Sequence, residues 1–215
     1  MRTGLRKRTV ILWLLIVLVT PVAAYYLVHR REPLSTFSRP EGWDNGGDTS
    51  LVSNYRFTDQ LGRSVSLRSF PGKILVVNFF FSRCISICPR MMAGLGKAAE
   101  AYRQDPEVHF LSFTVDPEYD DQARLAGYAK HLGARTPQWE LITGEKRKIY
   151  RLARTGFRVD AAEGDGGAYD FIHSDKVVLM DAHGNIRGYY SGIVPGEMDQ
   201  LISDIQKLEA ENGHN

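Results

Sequence analysis

Cys84 and Cys88 are the only two thiols in the 215 residues, separated by Ile85, Ser86 and Ile87 and followed directly by Pro89. On a helical turn, residues i and i+4 share a face, so both sulfurs can aim at one point. Two chemistries use such a pair. Thiolates are soft ligands that prefer soft metals, Cu(I) above all. The same thiols could instead cycle to a disulfide, which needs Cα atoms about 4.4–6.8 Å apart, a distance that helical i,i+4 spacing meets only at its limit. The spacing favours metal and leaves redox open. The N–H groups of a helix start, with Arg83 or Arg90, would favour thiolate over thiol.

Two thiolates suffice for linear Cu(I). Three-coordinate Cu(I), or a stable Cu(II) state, wants a further ligand such as imidazole. Of the six histidines, His29 flanks an apolar segment and His214 lies in the tail. His109 falls inside an expected strand, His131 on a helix and His183 in a hairpin turn. His173 differs, because it follows a polar, Gly-rich stretch and precedes a strand. Met91 and Met92 offer thioethers, but methionine at helical spacing is ordinarily core packing.

The elements that must position these groups are legible around them. Leu75 to Phe81 is apolar apart from Asn78, the pattern of a strand buried on both faces. Pro89 fits the first turn of a helix that the pattern places from Arg90 to Tyr102. Ahead of this unit, Tyr55–Thr58 and Ser64–Leu67 predict two short strands around a turn at Gln60-Leu61-Gly62. After it come a strand over Val108–Val115, a helix over Asp121–Leu132, a strand over Trp139–Ile142 and a helix over Glu145–Arg154. Residues Asp160 to Ala168 predict a loop. Two strands, Val177–Met180 and Ile186–Tyr190, flank a hairpin signal at Asp181–Asn185. Pro195–Glu209 predicts a closing amphipathic helix. Strand–helix–strand–helix followed by a hairpin and a last helix is the order of a thioredoxin-like α/β domain, in which a parallel half meets an antiparallel half.

Charge divides the chain. Six of the 27 basic residues and none of the 25 acidic ones lie in residues 1–31, which leaves 21 against 25, a net −4, for the remainder. A mildly acidic domain is a poor nucleic-acid binder, since phosphate neutralisation dominates that affinity. Residues Thr9 to Val28 carry no charge and follow Arg2, Arg6, Lys7 and Arg8. Twenty helical residues cover roughly 30 Å, the thickness of a bilayer core. The basic excess on the leading side keeps the N-terminus cytoplasmic and puts the domain on the extracytoplasmic, periplasmic side. Pro21 followed by Val22-Ala23-Ala24 also resembles a signal-peptidase site, so a cleaved signal peptide is the alternative. The expected organisation is an anchor over residues 1–31, a linker over 32–50, a thioredoxin-like domain over 51–209 and a tail over 210–215.

Three motifs in order carry a resemblance: Phe80-Phe81-Ser82-x-Cys84-x3-Cys88-Pro89, then Thr114-Val115-Asp116-Pro117-Glu118, then Asp170-x2-His173-Ser174 ahead of Val177–Asp181. Together they resemble the Sco/SenC family of membrane-anchored, thioredoxin-like copper proteins that help assemble cytochrome c oxidase. The resemblance implies that Cys84, Cys88 and His173 bind one copper ion, Cu(I) or Cu(II). It implies delivery to the dinuclear copper site of oxidase subunit II, with an upstream copper donor or thiol reductant as a further partner. Asp116 matches a family position near the site, where it would act either electrostatically or as a fourth ligand, or else as a turn or cap residue before Asp121. The chain departs from the pattern at Ile85, Ser86 and Arg90, where family members commonly carry proline and acidic residues, so the site rim is less acidic and more apolar. A thiol–disulfide oxidoreductase that keeps the oxidase cysteines reduced is the alternative function, and it does not need His173. A thiol peroxidase needs Thr three residues before its cysteine; Phe81 stands there.

Overall fold

The computed structural model describes residues 19–20, 49, 52–159 and 174–212. Those from Thr49 onward belong to one compact unit. The apolar run forms β3 (Ile74–Phe80), buried at every position. It lies between β4 and β6 in a seven-stranded sheet with β1 (Phe57–Asp59), β2 (Ser64–Val65), β4 (Val108–Thr114), β5 (Trp139–Thr143), β6 (Lys176–Met180) and β7 (Ile186–Ser191), in the order β2-β1-β5-β4-β3-β6-β7. β3, β4 and β5 are parallel, with Ile74 opposite Val108 and Phe110 opposite Trp139. β6 and β7 extend the sheet antiparallel beyond β3. The expected parallel and antiparallel halves are both present.

Helices close the connections: α1 (Ile87–Ala101), α2 (Gln122–Leu132), α3 (Lys146–Arg151) and α4 (Glu197–Asn212). The pleat sends alternate residues to opposite faces. Leu75, Val77 and Phe79 of β3 join Leu111 and Phe113 of β4 in a core with Ile149, Tyr150 and Phe157. The other face holds Asn78, whose Nδ2 reaches the Met92 sulfur of α1 at 3.4 Å, and Phe80, stacked on Tyr128 of α2 at 5.5 Å. Covering both faces explains why the central strands read as unbroken apolar runs.

Several boundaries differ from the sequence expectation: β1 is Phe57–Asp59 in place of Tyr55–Thr58, and β2 ends at Val65, with Leu67–Ser69 in a 3-10 turn. α1 starts three residues earlier than Arg90, which brings Cys88 into the helix. The helix expected to end at Arg154 is α-helical only to Arg151 and continues as a wider π turn over Leu152–Gly156. α4 runs through Ala210 to Asn212. α2 begins on Asp121, whose carboxylate takes the Arg124 N–H at 2.8 Å, and stops at Gly133, whose φ of 71° is the left-handed conformation that glycine adopts freely. The Asp160–Ala168 loop and His173 lie outside the described residues, as do residues 1–31 except Val19 and Thr20. Among the described residues no helix is long and apolar enough to cross a membrane.

Candidate metal centre

β3 ends at Phe80, and Phe81-Ser82-Arg83 turns the chain toward Cys84. α1 begins at Ile87, so Cys88 and Pro89 are its second and third residues, in the turn where a missing N–H costs nothing. The expectation that both cysteines share a helical turn is therefore corrected. Ser86 has φ −115° and ψ −88°, which is not helical, and Cys84 comes from the loop ahead of the helix.

The two sulfurs nevertheless meet. Both are free thiols, and each perturbs the titration of the other, so the two sulfurs lie close together. The Cys84 sulfur lies 3.7 Å from the Ser86 hydroxyl, and the backbone N–H groups of Cys88 and Ser86 favour its thiolate. Backbone donors at a helix start lack partners within the helix and need one outside it. Ser86 makes no capping bond with its own side chain, which leaves the N–H groups of this helix start open to the neighbouring Cys84 sulfur.

The two thiols are tuned in opposite directions. Partial burial of Cys84 alone would raise its pKa, but the N–H groups of Cys88 and Ser86, with the thiol and hydroxyl of the same residues, outweigh it and bring the group down to about 7. The backbone N–H groups, rather than Arg83 or Arg90, lead this lowering. Cys88 is 2% exposed; burial, then the facing Cys84 sulfur, push it up to about 12 against the backbone hydrogen bonds that lower it. The loop thus presents one accessible thiolate near neutral pH and one buried thiol beneath it.

A carboxylate holds the loop in place. Asp120 is fully buried and accepts the Ser82 N–H at 3.0 Å, the Ser82 hydroxyl, and the Thr114 hydroxyl at 2.5 Å. The sequence singled out Asp116 and passed over Asp120, because no spacing rule marks an acid four residues past another in a turn. Asp116 itself is 5% exposed and receives Arg83 Nε at 2.6 Å. Its backbone oxygen takes the N–H groups of Tyr119 and Asp120, so it is a turn-former paired with a guanidinium, while the cap of α2 is Asp121.

The other candidates sort cleanly. Met91 and Met92 are fully buried, with the Asn78 amide against both sulfurs, which is core packing. His109 is held between the carbonyls of Pro137 at 3.0 Å and Pro106 at 3.3 Å. His131 and His183 are exposed. Residues 174–175 lead into β6 near α1: the Gly192 N–H donates to the Asp175 carbonyl at 2.8 Å, and Gly192 lies against Met91. Val177 then pairs with Asn78, so β6 enters at the end of the sheet from which β3 leaves toward Cys84. Among the described residues no group of three or more His, Cys, Asp or Glu is placed to hold a metal ion. What is assembled is a two-sulfur donor set, half accessible, of the kind a soft cation takes.

The family model described as SCO1/SenC matches residues 44–210. The chain belongs to this family. It is 30% identical over 159 residues to the SCO1 protein homolog of Bacillus subtilis, covering 72% of this chain and 81% of that protein. It is also 30% identical over 167 residues to the mitochondrial SCO2 homolog of Danio rerio, there covering 75% of this chain and 56% of that longer protein. Among solved structures, a SCO1/SenC family lipoprotein from Bacillus anthracis superposes with a TM-score of 0.63 at 28% identity, over 81% of this chain and 99% of the other. BsSco, described with a disulfide switch and as a member of the Sco family of cytochrome c oxidase assembly proteins, gives 0.64 at 26% identity, over 77% and 95%. ScoI of Bradyrhizobium japonicum, solved with copper bound, shares the fold with a TM-score of 0.58 at 24% identity, over 72% and 96%.

Proposed function

We propose that this chain is a copper chaperone for cytochrome c oxidase. It holds one copper through Cys84, Cys88 and His173 and passes it to the dinuclear copper site of oxidase subunit II. Residues 1–31 anchor it, residues 32–50 form the linker, and the domain stands on the periplasmic side. The observation that carries the reading is the meeting of the chain's only two thiols at the start of α1, in a SCO1/SenC domain. Copper bound to a relative of the same fold supports the choice of metal. The position of residues 174–175 near α1 supports His173, one peptide bond away, as third ligand. An accessible Cys84 suits handover, because an incoming thiol can displace one ligand at a time.

The test is anaerobic titration of the reduced full chain in neutral detergent against a calibrated Cu(I) chelator, with His173→Ala and Cys84→Ser alongside. One copper per chain is expected, weakened by the first change and abolished by the second. Tight binding retained in Cys84→Ser would overturn the assignment.

One observation favours a second reading, the thiol–disulfide oxidoreductase. A thiol at about 7 facing one at about 12 gives a nucleophile and a protected partner, which disulfide exchange uses. The disulfide switch described for BsSco points the same way. A His173→Ala variant separates the two, because it retains disulfide exchange and loses copper affinity.

A further inference from the structure

The surface around Cys84 has a composition that holding copper does not require. Ile85 is 96% exposed, Val194 46% and Tyr119 38%. With Leu61, these are the large apolar side chains exposed among the described residues of the domain, and three of the four stand at this one place. Ile85 follows Cys84 directly. Tyr119 lies under the Arg83 guanidinium, 4.9 Å from its ring centroid. The loop carrying Val194 is tied to the first turns of α1 by Arg90, which donates to the Ile193 carbonyl at 3.1 Å. Apolar surface gathered on one face of a domain is the usual sign of a contact site.

The stretch that carries Cys84 is basic. From Ser82 to Ala99 the chain carries Arg83, Arg90 and Lys97 and no carboxylate, in a domain with a net excess of carboxylates. The first turn of α1 has no acidic residue, so the positive end of its dipole is uncompensated. Asp116 and Asp120 are buried and already engaged by Arg83, Ser82 and Thr114. Glu118 and Asp121 are exposed on the turn beyond Tyr119, and Arg124 stacks over the same tyrosine at 4.1 Å; Asp175 and Glu197, half-buried behind the Val194 loop, are both engaged by Ser191.

We propose that this face is a docking surface for an acidic segment of a partner polypeptide, with Ile85 as the apolar anchor and Arg83 and Arg90 as the flanking cations. The proposal rests on the chaperone reading in one respect: a ligand exchange at Cys84 brings a protein, rather than a lipid surface, to this face. Complementary charge would speed encounter and set orientation, and the buried isoleucine would slow departure.

The test places the full chain in phosphatidylcholine nanodiscs and titrates it with the soluble copper domain of oxidase subunit II from the same organism, by biolayer interferometry. Affinity is expected to fall as salt rises, and to fall about tenfold in Arg90→Glu and in Ile85→Ser. Copper content of each variant is measured in parallel, so a chain that takes up no copper refutes the chaperone reading without touching the docking result. Unchanged affinity in both variants, or no association of the unsubstituted chain, would overturn the proposal. So would substitutions that matter only when phosphatidylglycerol enters the disc, which would make this a membrane face.

Discussion

Asp120, without exposed surface, takes the backbone N–H of Ser82 at 3.0 Å, so the turn that delivers Cys84 is pinned to the end of β4. The same carboxylate receives the Ser82 and Thr114 hydroxyls. Asp120→Asn keeps the shape but replaces one acceptor oxygen with an NH2 that faces donors. The expected cost is about 2–4 kcal/mol in urea unfolding, the scale for disrupting a buried charged hydrogen-bond network. A shifted pH profile of Cys84 alkylation should accompany it, since the loop loses its anchor. Asp121→Asn, on the exposed cap, should cost no more than a few tenths of a kcal/mol and leave that profile alone.

Cys84 and Cys88 should separate by reactivity in the reduced, metal-free protein. Iodoacetamide should modify Cys84 with a midpoint at about 7, while Cys88, pushed up to about 12, stays unmodified at neutral pH. The sign of the linked stability follows. Cys84 has a lowered folded pKa, so its contribution is present above the unfolded value near 9 and is lost as pH falls through about 7. Cys88 has a raised one, so it disfavours the folded state as pH climbs from 9 toward 12. Mass spectrometry of alkylated peptides across pH checks the first statement; equal labelling of both cysteines at pH 7 would contradict it.

The strand β3 and the thiol pair were legible in the sequence because each has a local signature, an apolar run and a rare residue type. The π turn after Arg151 was not, since nothing in Leu-Ala-Arg-Thr-Gly distinguishes a wide turn from an α-helical one. The earlier start of α1 escaped because Pro89 marks a first turn without saying which of its positions it fills. Asp120 and the Arg83–Asp116 pair were hidden for a different reason: the paired residues lie in the turns that follow β3 and β4, 33 to 38 residues apart, and only the sheet register brings them together.

Glu140 gives a stability signal away from the thiols. It sits in β5 at 4% exposure, with one oxygen on Arg63 at 2.8 Å and the other without a hydrogen-bond partner among the described residues. Burial, reinforced by Asp59 and opposed by Arg63, pushes its carboxyl up to about 7. A raised folded pKa means the folded state binds the extra proton, so stability should decline between pH 4.5 and about 7 through this group. Glu140→Gln should remove that slope, a difference on the order of 2 kcal/mol between pH 5 and 7.5 in urea unfolding. Parallel curves for variant and unsubstituted chain would show that Arg63 keeps the group ionised throughout.

Gly192 links the end of β7 to the helix that carries Cys88. A Cβ there would sit 2.4 Å from Met91 Cγ and 3.2 Å from Met91 Cα, so neither a rotamer change nor a small side-chain shift makes room. Met91 lies one helical turn beyond Cys88, and the Gly192 N–H holds the Asp175 carbonyl. Gly192→Ala must therefore move α1 or break that hydrogen bond. The expected loss is about 1–3 kcal/mol from overpacking. The displacement should also reach the sulfurs, so alkylation of Cys88 at pH 7, negligible in the unsubstituted chain, should become measurable. Gly72→Ala tests the specificity of this effect: nothing lies within 4 Å of its Cβ, and its φ of 74° strains the turn locally. It should lower stability by about 1 kcal/mol and leave both thiols as they were.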